Sequence, residues 1–138
     1  MPIERPSSKG WGGRYAQVVV TSGRGRMIHL AGQTAAPMPE SDENQDISKL
    51  DCKEQTAVIL SRIDRLLAEQ GASKANLVRA WLFLHDPKDV HIANEAWDEW
   101  MDEEALPART NLVASPQLHT PHGLVEITVD AFVDEPSG

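Results

Sequence analysis

Arg109 is the residue whose type and position most directly suggest chemistry. It lies in the segment Leu106–Thr110, just after Pro107, at the head of a run that alternates as a strand does. A guanidinium can hold a carboxylate by two parallel hydrogen bonds, and it stays charged at neutral pH, so it cannot act as a base. The segment therefore predicts a site for a small carboxylate. On spacing alone, an arginine paired with one of the chain's own acids is the commoner case, and that alternative stays open.

Other side chains that could take part in catalysis are weaker candidates. His119 and His122 have the spacing of a ligand pair, but they lie in a proline-containing loop without a placed carboxylate or thiolate, so we expect no metal site. Ser22 and Ser115 have no base and orienting acid in a recognisable pattern, which leaves a hydrolase triad without support. Cys52 falls on a predicted apolar helix stripe, and we interpret its thiol as a small buried apolar group.

The hydrophobic pattern places Arg109 at the start of one of five predicted strands. They lie at 15–21, 26–32, 77–85, 108–114 and 125–133. The loop Ser22–Gly25 has the length and composition of a hairpin turn, so the first two strands should be antiparallel neighbours. Residues 36–46 are predicted as a solvated loop because they combine prolines with acids.

Two helices are predicted between these strands. The first starts at a capping box formed by Ser48 and Asp51, carries an apolar stripe at helical spacing, and ends at Gly71. Its opposite face, which includes Arg62, is expected to face solvent. The second helix starts at Asp86, and we interpret its apolar stripe as core: Val90, Ala93, Trp97, Trp100 and Met101.

The order of these elements predicts an α+β domain in which both helices cover one face of a single sheet. The uncovered face is expected to carry Arg79, Trp81, Phe83, Arg109, Val113 and Glu126. Such a face is too apolar to lie bare in water, and its charges need partners. We therefore expect other copies of the chain to cover it in a closed symmetric assembly.

Composition limits the classes of function. The chain of 138 residues predicts one domain, 1–138, with residues 1–13 as an N-terminal arm. Its 13 Lys and Arg against 21 Asp and Glu give a net charge of −8, which disfavours nucleic-acid and membrane partners. The single cysteine excludes an internal disulfide, and no apolar run has the length of a signal-peptide core or a membrane span. These features predict a cytoplasmic protein.

Five segments together resemble the RidA (YjgF) family of reactive intermediate/imine deaminases. They occur in the family's order between residues 15 and 133: Met27–Gln33, Ile63–Ser73, Leu82–Asp86, Asn94–Trp97 and Pro107–Thr110. No single segment is long, and it is their collinearity that carries the resemblance.

The resemblance implies a chorismate-mutase-like α+β fold, assembled as a homotrimer with clefts between neighbouring subunits. It also implies hydrolysis of 2-imino acids, the tautomers of enamines such as 2-aminoacrylate, to 2-oxo acids and ammonia without a cofactor. Arg109 matches the arginine that holds the substrate carboxylate, and we expect Glu126 or a backbone carbonyl to assist proton transfer. Asp130 stays open as the C-terminal acid of the cleft, because an ungapped match puts Thr128, which lies between the two acids, at the position of the family's glutamate. The implied substrate-binding residues are Tyr15, Ala31, Gly32, Asn94, Arg109 and Asn111.

This sequence departs from the family pattern at two of these positions and at the residue before Tyr15. Ala31 stands where many members have serine, Asn111 where many have cysteine, and Arg14 where proline is usual before the tyrosine. The lost hydroxyl and thiol keep open a second function, a non-catalytic trimer that binds small acids or stabilises proteins. Ribonuclease or translation-inhibitor activity is a third reading, and the negative net charge argues against it.

Overall fold

The computed structural model describes residues 2–6, 13–37, 46–114 and 118–135. The predicted arm and the predicted loop at 36–46 are thus described only in part, and Ser115 lies outside the described residues. The strands and α-helices are β1 (Ile3–Glu4), β2 (Val20–Thr21), β3 (Gly25–His29), α1 (Cys52–Glu69), β4 (Leu77–Leu84), α2 (Val90–Trp100), β5 (Ala108–Val113) and β6 (Val125–Asp134).

The main sheet has four strands in the order β3-β6-β4-β5. β4 and β5 run parallel, whereas β6 is antiparallel to both of its neighbours. Helices α1 and α2 pack against each other and against the core side of this sheet, where Ala80, Leu82 and Leu84 of β4 are fully buried. The predicted α+β architecture, with two helices on one face of a mixed sheet, is confirmed. None of the described helices combines the length and apolar character that a membrane crossing requires.

The N-cap of helix α1 is Asp51, and not Ser48 as the sequence predicts. Asp51 forms a capping box with Glu54 rather than with Ser48. Ser48 lies in a preceding turn of 3₁₀ helix, which Asp46 caps. The helix ends at Glu69, and the predicted stop Gly71 follows the C-cap Gln70 with a φ of +74°, a conformation that glycine adopts without strain.

The prediction that Arg62 faces solvent is wrong. Arg62 is 1% exposed, and its Nη1 donates hydrogen bonds to the carbonyls of Thr34 and Ala36, both at 2.5 Å. Those two residues belong to the chain that follows the Ala31–Gln33 segment. A long side chain on α1 therefore holds that segment against the core, which explains why a charged residue can occupy a buried helix position.

The predicted hairpin between strands 15–21 and 26–32 is also wrong. Only Val20–Thr21 of the first run is a strand, and it pairs with β1, while β3 pairs with β6. Ala16 instead makes an isolated parallel bridge to Ala108. The start of the predicted N-terminal arm is thus part of the fold, because residues 2–5 pair with β2 or bond to the sheet.

The expected sheet face of Arg109 needs correction. In the parallel β4–β5 pair, Arg109 lies beside Ala80 and Asn111 beside Leu82, both of which are buried beneath the helices. Arg109 and Val113 therefore share the helix-covered face, and not the open face. Glu126 lies beside Phe83 on the open face, as predicted. Alternation within β5 gives its two faces, but only the register with β4 decides which face is covered.

Candidate functional site

The guanidinium of Arg109 lies between two aromatic rings at the edge of the sheet. Its carbon is 5.1 Å from the ring centroid of Trp97 and 5.7 Å from that of Tyr15. Both distances fall in the range of cation–π attraction. Trp97 belongs to the stripe of α2 that the sequence predicts as core, and it is indeed fully buried. The helical spacing of Trp97 predicts only that it is buried, so its contact with Arg109 could not be predicted from the sequence.

Hydrogen bonds hold the residues on both sides of Tyr15 against the start of β5 and against α2. The N–H of Ala16 donates to the carbonyl of Pro107 at 2.9 Å, and Trp97 Nε1 donates to the carbonyl of Arg14 at 3.0 Å. Arg14 also pairs with Asp98 on α2 at 2.9 Å. These contacts fix the Tyr15 ring over the start of β5.

Burial first, and then the nearby charge of Arg14, lower the pKa of Arg109 to about 10. The guanidinium remains charged at neutral pH. None of the ion pairs among the described residues includes Arg109, and its Nη1 is buried there without a hydrogen-bond partner. In the described part of the chain, Arg109 is therefore not paired with one of the chain's own acids, which was the alternative left open by the sequence.

Two asparagines add unpaired acceptors near Arg109. Asn111 lies two residues farther along β5 on the same face, and Asn94 lies one helical turn before Trp97 on α2. The Oδ1 atom of each is buried without a hydrogen-bond partner among the described residues. Such groups are uncommon in folded proteins, and each calls for an explanation. We call Tyr15, Asn94, Trp97, Arg109 and Asn111 the Arg109 cluster.

Gly32 and Glu126 meet on the other face of the sheet. A Cβ on Gly32 would lie 2.3 Å from Oε2 of Glu126, so only a glycine leaves room for this carboxylate in its present position. Ala31 and Gly32 are exposed, and the Gln33 amide donates to the carbonyl of Ala31 at 3.0 Å. We call Ala31, Gly32 and Glu126 the Glu126 cluster.

The choice between the two C-terminal acids has a geometric basis. Asp130 accepts a hydrogen bond from Nδ1 of His29 at 2.7 Å, and it lies beside Arg79 in the sheet register. Glu126 is instead the acid that lies against Gly32. Thr128, between them on the same face, donates to the carbonyl of Leu30 at 2.8 Å.

The predicted site residues therefore form two groups on opposite faces of one chain's sheet. The Arg109 cluster offers a charged donor with aromatic walls, and the Glu126 cluster offers a carboxylate beside exposed backbone. Within a single chain they cannot act on one small molecule, because the sheet lies between them.

The remaining reactive side chains do not add to either cluster. Cys52 is buried, and desolvation raises the pKa of its thiol to about 11. Within the four described ranges, no three His, Cys, Asp or Glu side chains lie close enough together to hold a metal ion.

Comparison with known proteins identifies the family. The family model described as Endoribonuclease L-PSP matches residues 6–133. A RutC family protein of Haemophilus ducreyi is 30% identical over 121 residues, which cover 88% of this chain and 91% of that protein. A RutC family protein of Haemophilus influenzae is 45% identical over 78 residues, which cover 56% of this chain and 66% of that protein.

Solved structures agree with this assignment. The crystal structure of a YjgF family member from Neisseria meningitidis matches with a TM-score of 0.64 and 34% identity, over 95% of this chain and 96% of that chain. The Rid family protein YyfB of Yersinia pestis has a TM-score of 0.73 over 96% of this chain and all of that chain, but its identity of 22% shows the fold alone. The resemblance seen in the sequence is confirmed, and the chain belongs to the YjgF/RidA family.

Proposed function

We propose that this protein hydrolyses 2-imino acids to 2-oxo acids and ammonia. The observation that carries the proposal is the Arg109 guanidinium, which is charged, partly removed from water, and without an ion-pair partner among the described residues, since the nearby Asp98 pairs with Arg14. A substrate carboxylate would supply the missing anion through a pair of charge-assisted hydrogen bonds. The aromatic walls of Tyr15 and Trp97 limit the ways in which a small acid can approach.

The complete site needs two copies of the chain. Arg109 and Glu126 lie on opposite faces of one sheet, so Glu126 must come from a neighbouring copy if both are to reach one substrate. The open face is suited to such contact, because it carries the exposed side chains of Met27 and Leu112, and Arg79 stacks on Trp81 at 4.2 Å. A closed homotrimer, as the family resemblance implies, would place the two clusters across each cleft.

The reaction requires little from the protein beyond positioning. A protonated imine is already electrophilic, so water adds to its carbon and forms a C–O bond while the C=N π electrons move to nitrogen. Glu126 accepts a proton from the added water and returns it to the nitrogen. The C–N bond then breaks, ammonia leaves with its electron pair and takes up the remaining hydroxyl proton, and the products are a 2-oxo acid and ammonium.

A second function is favoured by two specific residues. Ala31 and Asn111 supply neither a hydroxyl nor a thiol, so the clefts could bind small 2-oxo acids without turnover. The description of the matched family model also raises endoribonuclease activity, but the net charge of −8 disfavours binding to a phosphate backbone.

A coupled assay separates these functions. An amino-acid oxidase generates the imine of alanine or leucine, semicarbazide traps the imine that remains, and the fall in semicarbazone formation reports hydrolysis by the protein. We expect Arg109→Ala to lower kcat/KM by about 100-fold. Arg26→Ala is the matched control, because Arg26 is an exposed arginine on β3, at the other end of the sheet.

The outcomes distinguish the candidates clearly. Undiminished turnover by a folded Arg109→Ala protein contradicts the proposed role of Arg109. Binding of pyruvate without any acceleration of imine hydrolysis supports the acid-binding function instead.

A further inference from the structure

Arg5 links the starts of two neighbouring strands. Its Nε donates to the carbonyl of Leu106 at 2.6 Å, and its Nη2 donates to the carbonyl of Leu77 at 3.1 Å. A third, longer contact joins Nη2 to the carbonyl of Ala75 at 3.4 Å. One guanidinium therefore bonds to the residue that begins β4 and to the residue two positions before β5.

This contact lies close in sequence to Arg109. Leu106 comes three residues before Arg109, and the next carbonyl, that of Pro107, accepts the hydrogen bond from Ala16 beside Tyr15. Two consecutive carbonyls at the entry to β5 are thus held by the N-terminal part of the chain. Their orientation fixes where β5 begins relative to β4, and hence where the Arg109 side chain leaves the sheet.

Stability alone does not explain why an arginine links these two strands, because its charge must be partly removed from water. Burial lowers the pKa of Arg5, and no ion pair of Arg5 with an acid occurs among the described residues. The cost of removing the charge of Arg5 from water therefore offsets part of what its hydrogen bonds contribute to stability. A planar fork, however, fixes two acceptors in one geometry, which a lysine ammonium cannot do.

We propose that Arg5 is a positioning residue for Arg109: it sets the entry of β5 so that the guanidinium lies between Tyr15 and Trp97. This inference rests on the proposed function, since it assigns Arg5 to the same carboxylate site. Arg5 does not touch the substrate. Its removal should weaken the binding of a carboxylate more than it weakens the fold.

The first test measures Arg109 without any ligand. In proteins labelled with ¹⁵N at arginine, the exchange of the Arg109 Nε–H with water is compared for wild type, Arg5→Met, Arg5→Lys and the control Arg26→Met. Arg26 is exposed and donates one bond, to the carbonyl of Gln70 at 2.9 Å, far from β5. We expect exchange to rise about tenfold in both Arg5 variants and to stay unchanged in Arg26→Met. Unchanged exchange in a folded Arg5→Lys protein overturns the inference.

The second test is a double-mutant cycle in binding, with pyruvate and its amide as probes. We expect Arg5→Met to raise the Kd for pyruvate about tenfold, to leave that for pyruvamide unchanged, and to have no effect on pyruvate once Arg109 is alanine. A purely structural role would instead give the same loss for both probes and in both backgrounds, and this result overturns the inference.

If wild type binds pyruvate through Arg109 and Arg5→Met binds it equally well, the inference fails while the proposed function stands. If wild type does not bind pyruvate, the proposed function fails, and the exchange measurement alone decides the role of Arg5.

Discussion

Arg109 is a cation that the fold partly removes from water without providing an ion-pair partner among the described residues. Cation–π contacts with two rings offset part of the desolvation cost. The unpaired Nη1 atom and the lowered pKa of Arg109 both indicate that these contacts do not fully offset the desolvation of its charge. A bound carboxylate would offset the remainder, so ligand binding and folding stability should be coupled through this one side chain.

The first prediction concerns the pH dependence of this coupling. Because the pKa of Arg109 is lower in the folded chain than in the unfolded chain, charged Arg109 opposes folding, and this unfavourable contribution is relieved as the pH rises through about 10. Pyruvate should therefore raise the Tm at neutral pH and lose this effect at about pH 11. Differential scanning fluorimetry across this range measures it, and Arg109→Ala provides the baseline. A pyruvate effect that persists in the alanine variant contradicts the prediction.

A second prediction concerns Cys52. The thiol is 3% exposed and its pKa is raised to about 11 by burial, so thiolate is scarce at neutral pH and reagents reach it poorly. We expect iodoacetamide to modify the native protein at least about 100-fold more slowly than the unfolded protein at the same pH. Mass spectrometry of timed samples measures the two rates. Comparable rates would show that the thiol is accessible in the native state.

At the scale of the element, α1 and the segment at 31–36 depend on each other. Arg62 joins them through two carbonyls at the buried side of the helix. The same segment carries Gly32, whose missing side chain leaves room for Glu126. The helix therefore contributes to the placement of the Glu126 cluster, although none of its residues belongs to that cluster.

The third prediction tests the buried arginine of α1. Arg62→Ala leaves the carbonyls of Thr34 and Ala36 without this donor, and we expect it to lower the free energy of unfolding by about 3 kcal/mol. Arg65→Ala, at an exposed position of the same helix, should cost less than about 1 kcal/mol. Urea denaturation gives both values. Equal losses in the two variants would mean that burial of Arg62 is not what stabilises this region.

The fourth prediction separates site geometry from stability at Gly32. A Cβ there displaces the Glu126 carboxylate, which is the far end of a flexible side chain, so the carboxylate shifts and the fold persists. We expect Gly32→Ala to lower imine hydrolysis about tenfold or more while changing the Tm by less than about 2 °C. Arg26→Ala, at an exposed position of β3 outside both clusters, is the control and should retain activity. Full activity of Gly32→Ala would contradict the proposed role of Glu126 in proton transfer.

At the scale of the whole molecule, the two clusters can cooperate only across a contact between copies. This argument rests on the sheet register, since Arg109 lies beside Ala80 and Glu126 beside Phe83, on opposite faces of β4. The assembly is therefore part of the proposed catalytic unit.

The fifth prediction is complementation between inactive variants. Arg109→Ala and Glu126→Gln should each be nearly inactive alone. After they are unfolded and refolded together, random mixed trimers should regain about a quarter of the wild-type sites, because some clefts receive both intact residues. The imine assay measures the recovery. If native mass spectrometry shows that mixed trimers have formed and no activity returns, both residues act in the site of one chain or in no site at all.

The sequence predicted the parts of the fold that depend on local pattern. Alternation identified β4, β5 and β6, and apolar spacing identified both helices, because each pattern is complete within one segment. The errors concern partners that are distant in sequence. Val20–Thr21 pairs with β1 instead of β3, and Arg62 turns to carbonyls nearly thirty residues away.

The candidate site divides in the same way. The sequence pattern indicated Arg109, the family resemblance indicated its role and Gly32, and Glu126 and Asp130 both stayed open as the acid of the cleft. The face on which Arg109 lies depends on the parallel register, which no single strand encodes. Trp97 was predicted as core, and the core position is correct. Its contact with Arg109 could not be inferred, because a buried aromatic residue has the same spacing whether or not a cation lies against its ring.

The β1 segment has a practical consequence for anyone who prepares this protein. Its first strand begins at Ile3, and the Ser22 amide donates to the carbonyl of Pro2. An affinity tag fused to the amino end would therefore lie directly beside β1 and could disturb its pairing with β2. β6 ends at Asp134, so a tag at the carboxyl end is the better choice. Measurements on amino-tagged protein should be repeated after the tag has been cleaved.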